Sequence, residues 1–262
     1  MELTVNGATV FAHTGGRPFD PDLPAVVLIH GAGMDHTVWS LQSRYLAHHG
    51  RSVLAVDLPG HGRSGGAPLG TIADMADWVT ALLDAAGAAK ALLVGHSMGA
   101  LVALDAAARH PERVSGLALL GIAERMPVHP DLLKAAADND PLAIDLVTGW
   151  GFGPRGHVGG NPAPGLALLP AGRRLMGRQA PGVLGIDLAA CNAYAQGAEA
   201  AARVACPALF LLGALDRMTP AKAGKALAAL VRGGKATVLP NIGHMVMVEA
   251  PDATTDTLAL LE

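Results

Sequence analysis

The sequence predicts an α/β fold, a mostly parallel sheet flanked by helices with one small, mostly helical insertion. Three observations predict it. Short apolar runs without polar alternation recur along the chain, which marks strands buried on both faces. Segments with helical spacing lie between most of these runs, the pattern of strands joined by crossover helices. From about Glu124 to about Arg203 that rhythm stops.

The elements follow in order. Leu3-Thr4-Val5 and Ala8–Ala12 flank Asn6-Gly7, a strong hairpin signal because both turn positions require positive φ. Past a Pro-rich loop (Pro18, Pro21, Pro24), the run Ala25–Ile29 is the first buried strand. Further strands are expected at Ser52–Val56, Ala91–Val94, Val114–Leu120, Ala208–Leu212 and, more weakly, Ala236–Leu239. Ile72–Ala86 places Ile72, Met75, Ala76, Val79, Leu82 and Leu83 on one side of a helix, with Gly87 as C-cap. Met98–His110 is a second helix, ended by Pro111. Pro220–Val231 and Pro251–Leu261 each begin with a proline suited to a helix's first position.

The insertion contains Gly149–Gly165, dense in Gly and Pro, but also Trp150, Phe152, Leu166, Leu168, Leu169, Met176 and Tyr194. That is too much apolar surface for a tether, so residues 124–203 are read as a cap over one edge of the sheet. Residues 1–123 and 204–262 then form the core domain.

Composition sets the outer limits. Of 262 residues, 51% are hydrophobic and 16% charged, which supplies a core and excludes global disorder. Nineteen Lys and Arg against 22 Asp and Glu give −3, so no basic surface for nucleic acid or an anionic membrane is expected. No uninterrupted apolar stretch of about 18 residues suggests membrane insertion. Cys191 and Cys206 form neither a disulfide framework nor a metal site, and neither a metal nor a cofactor is expected. The N-terminus lacks the pattern of a signal peptide, which makes the cytoplasm the expected compartment.

In an open parallel sheet, ligands sit beyond the carboxyl ends of the strands, and the polar motifs fall there. Gly95-x-Ser97-x-Gly99 lies between a buried strand and a helix. A serine on such a sharp turn holds its hydroxyl clear of the backbone, and the helix N-terminus faces developing negative charge. Serine needs a base, and the base an orienting acid. Asp216, after one later strand, supplies the acid; His244, after another, supplies the base. The N–H groups of Met98 and of Ala32, in His30-Gly31-Ala32-Gly33, are the expected oxyanion donors.

Other polar residues receive lesser roles. His30 is read as bracing its loop, His61 as fixing a neighbouring loop, and His96 as packing. Asp57 is a weaker second acid and Glu124 a fallback, while Cys206 is read as a small buried hydrophobe. Met34, Met218 and Met245, with Trp150 and Phe152 from the insertion, are the expected substrate-binding residues.

With these motifs in place the chain resembles the α/β-hydrolases that carry a cap after the sixth strand. The resemblance covers nearly the whole length. It rests on HGAG at His30–Gly33, DLPGHGRS at Asp57–Ser64, GHSMG at Gly95–Gly99, GALDRMTP at Gly213–Pro220 and GHMVMVEAP at Gly243–Pro251. It implies an eight-stranded sheet with only the second strand antiparallel, and the same roles for Ser97, Asp216, His244, Ala32 and Met98. Serine at position 97 sets the chain apart from similar dehalogenases and epoxide hydrolases, which use aspartate there.

The expected activity is hydrolysis of a small-molecule carboxylic ester through an acyl-enzyme. An apolar cap and the lack of an anion clamp favour uncharged esters of short to medium acyl length. Alternatives on the same triad are lactone, thioester or C–C bond hydrolysis. A ligand-binding sensor with residual hydrolase activity is the alternative of a different class.

Overall fold

The computed structural model describes residues 1–157, 160 and 167–261. The strands are β1 (Glu2–Val5), β2 (Ala8–His13), β3 (Ala25–Ile29), β4 (Ser52–Val56), β5 (Ala91–His96), β6 (Val114–Leu120), β7 (Ala208–Gly213) and β8 (Lys235–Leu239). They form one eight-stranded sheet in the order β1-β2-β4-β3-β5-β6-β7-β8. Only β2 runs against its neighbours. The β1–β2 turn has Asn6 at φ 50° and Gly7 at φ 80°, the positive angles that the Asn-Gly pair supplies.

The central strands β3, β4 and β5 are buried along their whole length. This explains their unbroken apolar sequence, since helices cover both faces. Each fully buried side chain here, such as Leu28, Ile29, Leu54 or Leu93, contributes about 1.5–3 kcal/mol over exposure.

The helices of the core are α1 (Ser40–His48), α2 (Ile72–Ala86) and α3 (Met98–Arg109). Thr71 caps α2 by accepting from the Asp74 N–H, and Gly87 ends it at φ 72°. Between β6 and β7 lie α4 (Pro130–Ala137), α5 (Leu142–Gly151), α6 (Pro154–His157), α7 (Leu168–Gly177), α8 (Val183–Ala193) and α9 (Gly197–Arg203). Leu166, counted above among the apolar residues of this segment, lies outside the described residues, as does much of the Gly/Pro-rich stretch. The chain closes with α10 (Ala221–Leu230), α11 (Val246–Glu249) and α12 (Pro251–Ala259). Pro220 stands at the N-cap of α10 rather than inside it, whereas Pro251 does occupy the first turn of α12. Among the described residues no helix is long and apolar enough to cross a membrane.

Candidate active site

The carboxyl ends of β3, β5 and β7, with the loop after β8, converge on one cavity of about 280 Å³. Ser97 stands between β5 and α3 with φ 55° and ψ −116°. A non-glycine residue held in such a region costs about 1–3 kcal/mol, so the surroundings must enforce it. They do so through glycine. A Cβ on Gly95 would come within 2.1 Å of the Gly99 carbonyl oxygen, and one on Gly99 within 2.4 Å of the Ile29 carbonyl oxygen. The Ser97 N–H donates to the Leu120 carbonyl (2.9 Å), fixing the turn against β6.

Asp216 is buried and accepts four hydrogen bonds. Its Oδ1 takes the N–H groups of Met218 and Thr219, both at 2.8 Å. Its Oδ2 takes the Thr219 hydroxyl (2.7 Å) and His244 Nδ1 (2.8 Å). Burial opposes the charge, but the His244 ring and these donors outweigh it and hold the carboxyl below its ordinary range. With Nδ1 donating to Asp216, the neutral ring of His244 carries its lone pair on Nε2. That atom is buried and has no hydrogen-bond partner among the described residues. Ser97 and His244 line the same cavity, although no hydrogen bond joins the Ser97 hydroxyl to the ring among the described residues.

The loop that carries His244 is held on several sides. Glu249 is buried and accepts from the N–H groups of Gly243 (3.1 Å), Met245 (3.1 Å) and Gly153 (2.9 Å). The His244 N–H donates to the Gly151 carbonyl (2.7 Å). His96 donates from Nε2 to the His244 carbonyl (3.0 Å). On the opposite wall, His30 donates from Nδ1 to the Gly31 carbonyl (2.9 Å) and accepts from the Leu58 N–H at Nε2 (3.1 Å). His30 therefore braces the Gly31–Gly33 loop. The N–H groups of Ala32 and Met98 have no hydrogen-bond partner among the described residues.

The cavity wall adds Met126, Val128, Leu132, Leu184 and Leu188 from the segment between β6 and β7. Of the five residues expected at the substrate, Met34, Trp150 and Met218 line it. Phe152 and Met245 do not, which corrects the expectation. Phe152 is buried against Gly156 and Gly172, and Met245 lies in the second layer of the core. Both border a separate void of about 10 Å³. The wall also holds Arg217, which is exposed and makes no ion pair or side-chain hydrogen bond among the described residues. It places a cation at the cavity, where the sequence reading expected none.

Asp57 is occupied elsewhere. Its Oδ1 accepts from the His36 N–H (2.7 Å) and Nδ1 (2.8 Å), and its Oδ2 from the Arg63 N–H (2.9 Å). With Asp35 these residues bring three potential metal-ligand atoms within 4.8 Å of one another. Asp35 is itself bonded to Thr37, Arg178 and Gln179, so the trio is a hydrogen-bonded bracket outside the Ser97 cavity. Glu124 is exposed and bonds to none of the site residues.

A sequence profile described as the alpha/beta hydrolase family matches residues 26–257. The chain belongs to that family. It is a hydrolase by that membership and by its relatives. Among solved structures it is similar to the enol-lactonase from Burkholderia xenovorans LB400. The two share 26% identity with a TM-score of 0.88, covering 100% of this hydrolase and 99% of the lactonase. It is 30% identical over 241 residues to the pimeloyl-(acyl-carrier protein) methyl ester esterase of Neisseria meningitidis, 87% of this chain and 88% of that one. It is 43% identical over 110 residues to the dihydrolipoyllysine-residue acetyltransferase component of an acetoin cleaving system from Pseudomonas putida. That match spans 42% of this hydrolase but only 28% of the acetyltransferase component.

Proposed function

We propose that this hydrolase cleaves carboxylic esters through an acyl-enzyme formed on Ser97. The observation that carries the reading is the Asp216–His244 pair, which leaves an unpartnered Nε2 in the cavity that Ser97 also lines. His244 takes the hydroxyl proton as Ser97 attacks, then gives it to the leaving alcohol. It next takes a proton from water as the water oxygen attacks the acyl carbon, and returns that proton to Ser97 Oγ as the acyl–Oγ bond breaks and the acid leaves. The gap between hydroxyl and ring closes when substrate fills the cavity, as such contacts tighten in the reacting complex. Ala32 and Met98 offer free N–H groups to the oxyanion, and Asp216 holds the ring in the tautomer that can act as base.

Residues 124–203 act as a cap that supplies most of the apolar wall. A cavity of about 280 Å³ suits a small ester of short to medium acyl length. The pimeloyl esterase and the enol-lactonase both point to acyl–oxygen cleavage. Replacing Ser97 by alanine is expected to reduce turnover of a short p-nitrophenyl ester by at least ~10⁴-fold with the melting temperature unchanged. Retained turnover in that variant would exclude Ser97 as the nucleophile.

Arg217 favours a second reading of the substrate, an ester or lactone whose far end carries a carboxylate. An arginine–carboxylate bond is strong and directional. Arg217→Gln is then expected to raise KM for an acid-bearing ester by about tenfold, roughly 1.4 kcal/mol, and to spare its methyl-capped counterpart. Equal effects on both esters would return the reading to uncharged substrates.

A further inference from the structure

The apolar face of α8 hides a carboxylate. Asp187 is 0% exposed, and its Oδ2 accepts two hydrogen bonds, from the Gly33 N–H (2.8 Å) and from His61 Nε2 (2.8 Å). Its Oδ1 is buried with no partner among the described residues. His61 is buried as well, and its Nδ1 faces the Pro59 carbonyl at 3.0 Å. Both ring nitrogens of His61 therefore face oxygens that only accept, an arrangement that the imidazolium satisfies and the neutral ring does not. Burial pushes the His61 pKa down, but the bond to Asp187 and its charge outweigh that and raise it.

A sealed ion pair of this kind adds little net stability compared with apolar side chains of the same volume. The unpartnered Oδ1 adds a further cost. Stability alone gives no reason for Asp187, but the position of its partner does. Gly33 follows Ala32, whose N–H faces the reaction in the reading above. The peptide group that carries the Ala32 N–H is the one whose carbonyl, on Gly31, takes the bond from His30. The next peptide group carries the Gly33 N–H, held by Asp187. Ala32 thus sits between two pinned planes, one fixed from the core and one from α8. Gly33 has φ 64°, and a Cβ there would lie 2.9 Å from Leu184 and 3.2 Å from Met176. The segment between β6 and β7 therefore presses directly on this loop.

We infer that Asp187 is a positioning residue for the reaction: His30 fixes the peptide plane that carries the Ala32 N–H and Asp187 fixes the next one, so that the first plane cannot turn and the cap completes the oxyanion site as well as covering it. This rests on the Ser97 reading. The test is steady-state turnover of p-nitrophenyl butyrate together with the rate at which a fluorophosphonate labels Ser97. Asp187→Ala is expected to lower kcat and the labelling rate by about 10²-fold while KM stays within about threefold. Asp187→Asn keeps an oxygen that can accept from Gly33, and is expected to recover most of that loss.

A folded Asp187→Ala variant with parental kcat, or a loss confined to KM, would overturn the inference. So would Asp187→Asn performing no better than alanine. Should the alanine variant not fold, hydrogen exchange of the Gly33 amide in the parent protein decides. Strong protection supports the bond, and exchange at a free-loop rate refutes it. Failure of the parent to be labelled at Ser97 would instead refute the Ser97 reading itself.

Discussion

The His244 loop and the Gly31–Gly33 loop, proposed to carry the base and an oxyanion donor, face the same cavity but are held in different ways. The His244 loop is secured by chain close to it and, in addition, by the segment between β6 and β7, where the Gly151 carbonyl takes the His244 N–H and the Gly153 N–H reaches Glu249. Glu249, five residues past His244, takes the N–H groups on either side of that histidine, and Asp216 accepts three bonds from its own turn and one from His244. The Gly31–Gly33 loop draws its second anchor from 154 residues away, on α8. The difference teaches that the segment between β6 and β7 touches both loops, but at His244 it adds to anchors that the core motifs already supply, whereas at Gly33 it supplies the anchor itself. A changed insertion should therefore alter the stabilisation of the oxyanion before it alters the base.

Substitutions can break or sharpen this contrast. The largest effect is expected from Asp216→Asn. Its amide can donate to His244 and impose the wrong tautomer, lowering kcat by roughly 10³–10⁴-fold with the fold intact. A loss under tenfold, measured as kcat at saturating ester, would mean that the base is oriented by something else. Next comes the anchor from α8, Asp187→Ala, with an expected loss of about 10²-fold. If Asp187→Ala costs as much as Asp216→Asn, the two loops are not separately held and the contrast fails.

Glu249 ranks third. Burial raises its pKa, and three backbone donors partly counter that. Glu249→Gln places an amide where only acceptors fit, so urea denaturation should show a loss of about 1–3 kcal/mol. Its kcat should fall less than that of Asp187→Ala, because the Asp216 bond still orients the ring.

The smallest effect is one of pH on stability. Burial, reinforced by the charge of His61, holds His30 down at about 4; burial and the charge of His244 hold His96 down at about 3. Both folded-state values lie below the ordinary 6.5. The stability these rings contribute is thus fully present above about 6.5 and is lost as pH falls towards 4 and 3. Chemical denaturation between pH 7 and 5 should show the decline, and His96→Gln should flatten it. An unchanged slope in that variant would mean that His96 is not buried as a neutral ring.

The strands were legible as unbroken apolar runs, the hairpin by its Asn-Gly pair, α2 by its helical repeat, and α3 by its place between the Ser97 turn and Pro111. α1 was not, since buried Gln42 and Ser43 replace part of an apolar stripe; Gln42 donates to the Met247 carbonyl at 3.0 Å. Ser97, Asp216 and His244 stood out because polar motifs at strand ends are few and glycine-flanked. Phe152 and Met245 were misplaced because an apolar residue near a motif can face either the cavity or the core, and composition does not tell which. Asp187 left one signal, a lone acid within the apolar run Val183–Cys191. A charge on such a helix is rarely buried without a partner, and that partner, His61, was read only as a loop brace.

The most direct test is to treat the parent hydrolase and Ser97→Ala with a fluorophosphonate and locate the added mass by peptide mapping. The proposed chemistry predicts stoichiometric modification of Ser97 in the parent, slowed in Asp216→Asn and absent in Ser97→Ala. Modification of another residue, or equal labelling of the alanine variant, would contradict it.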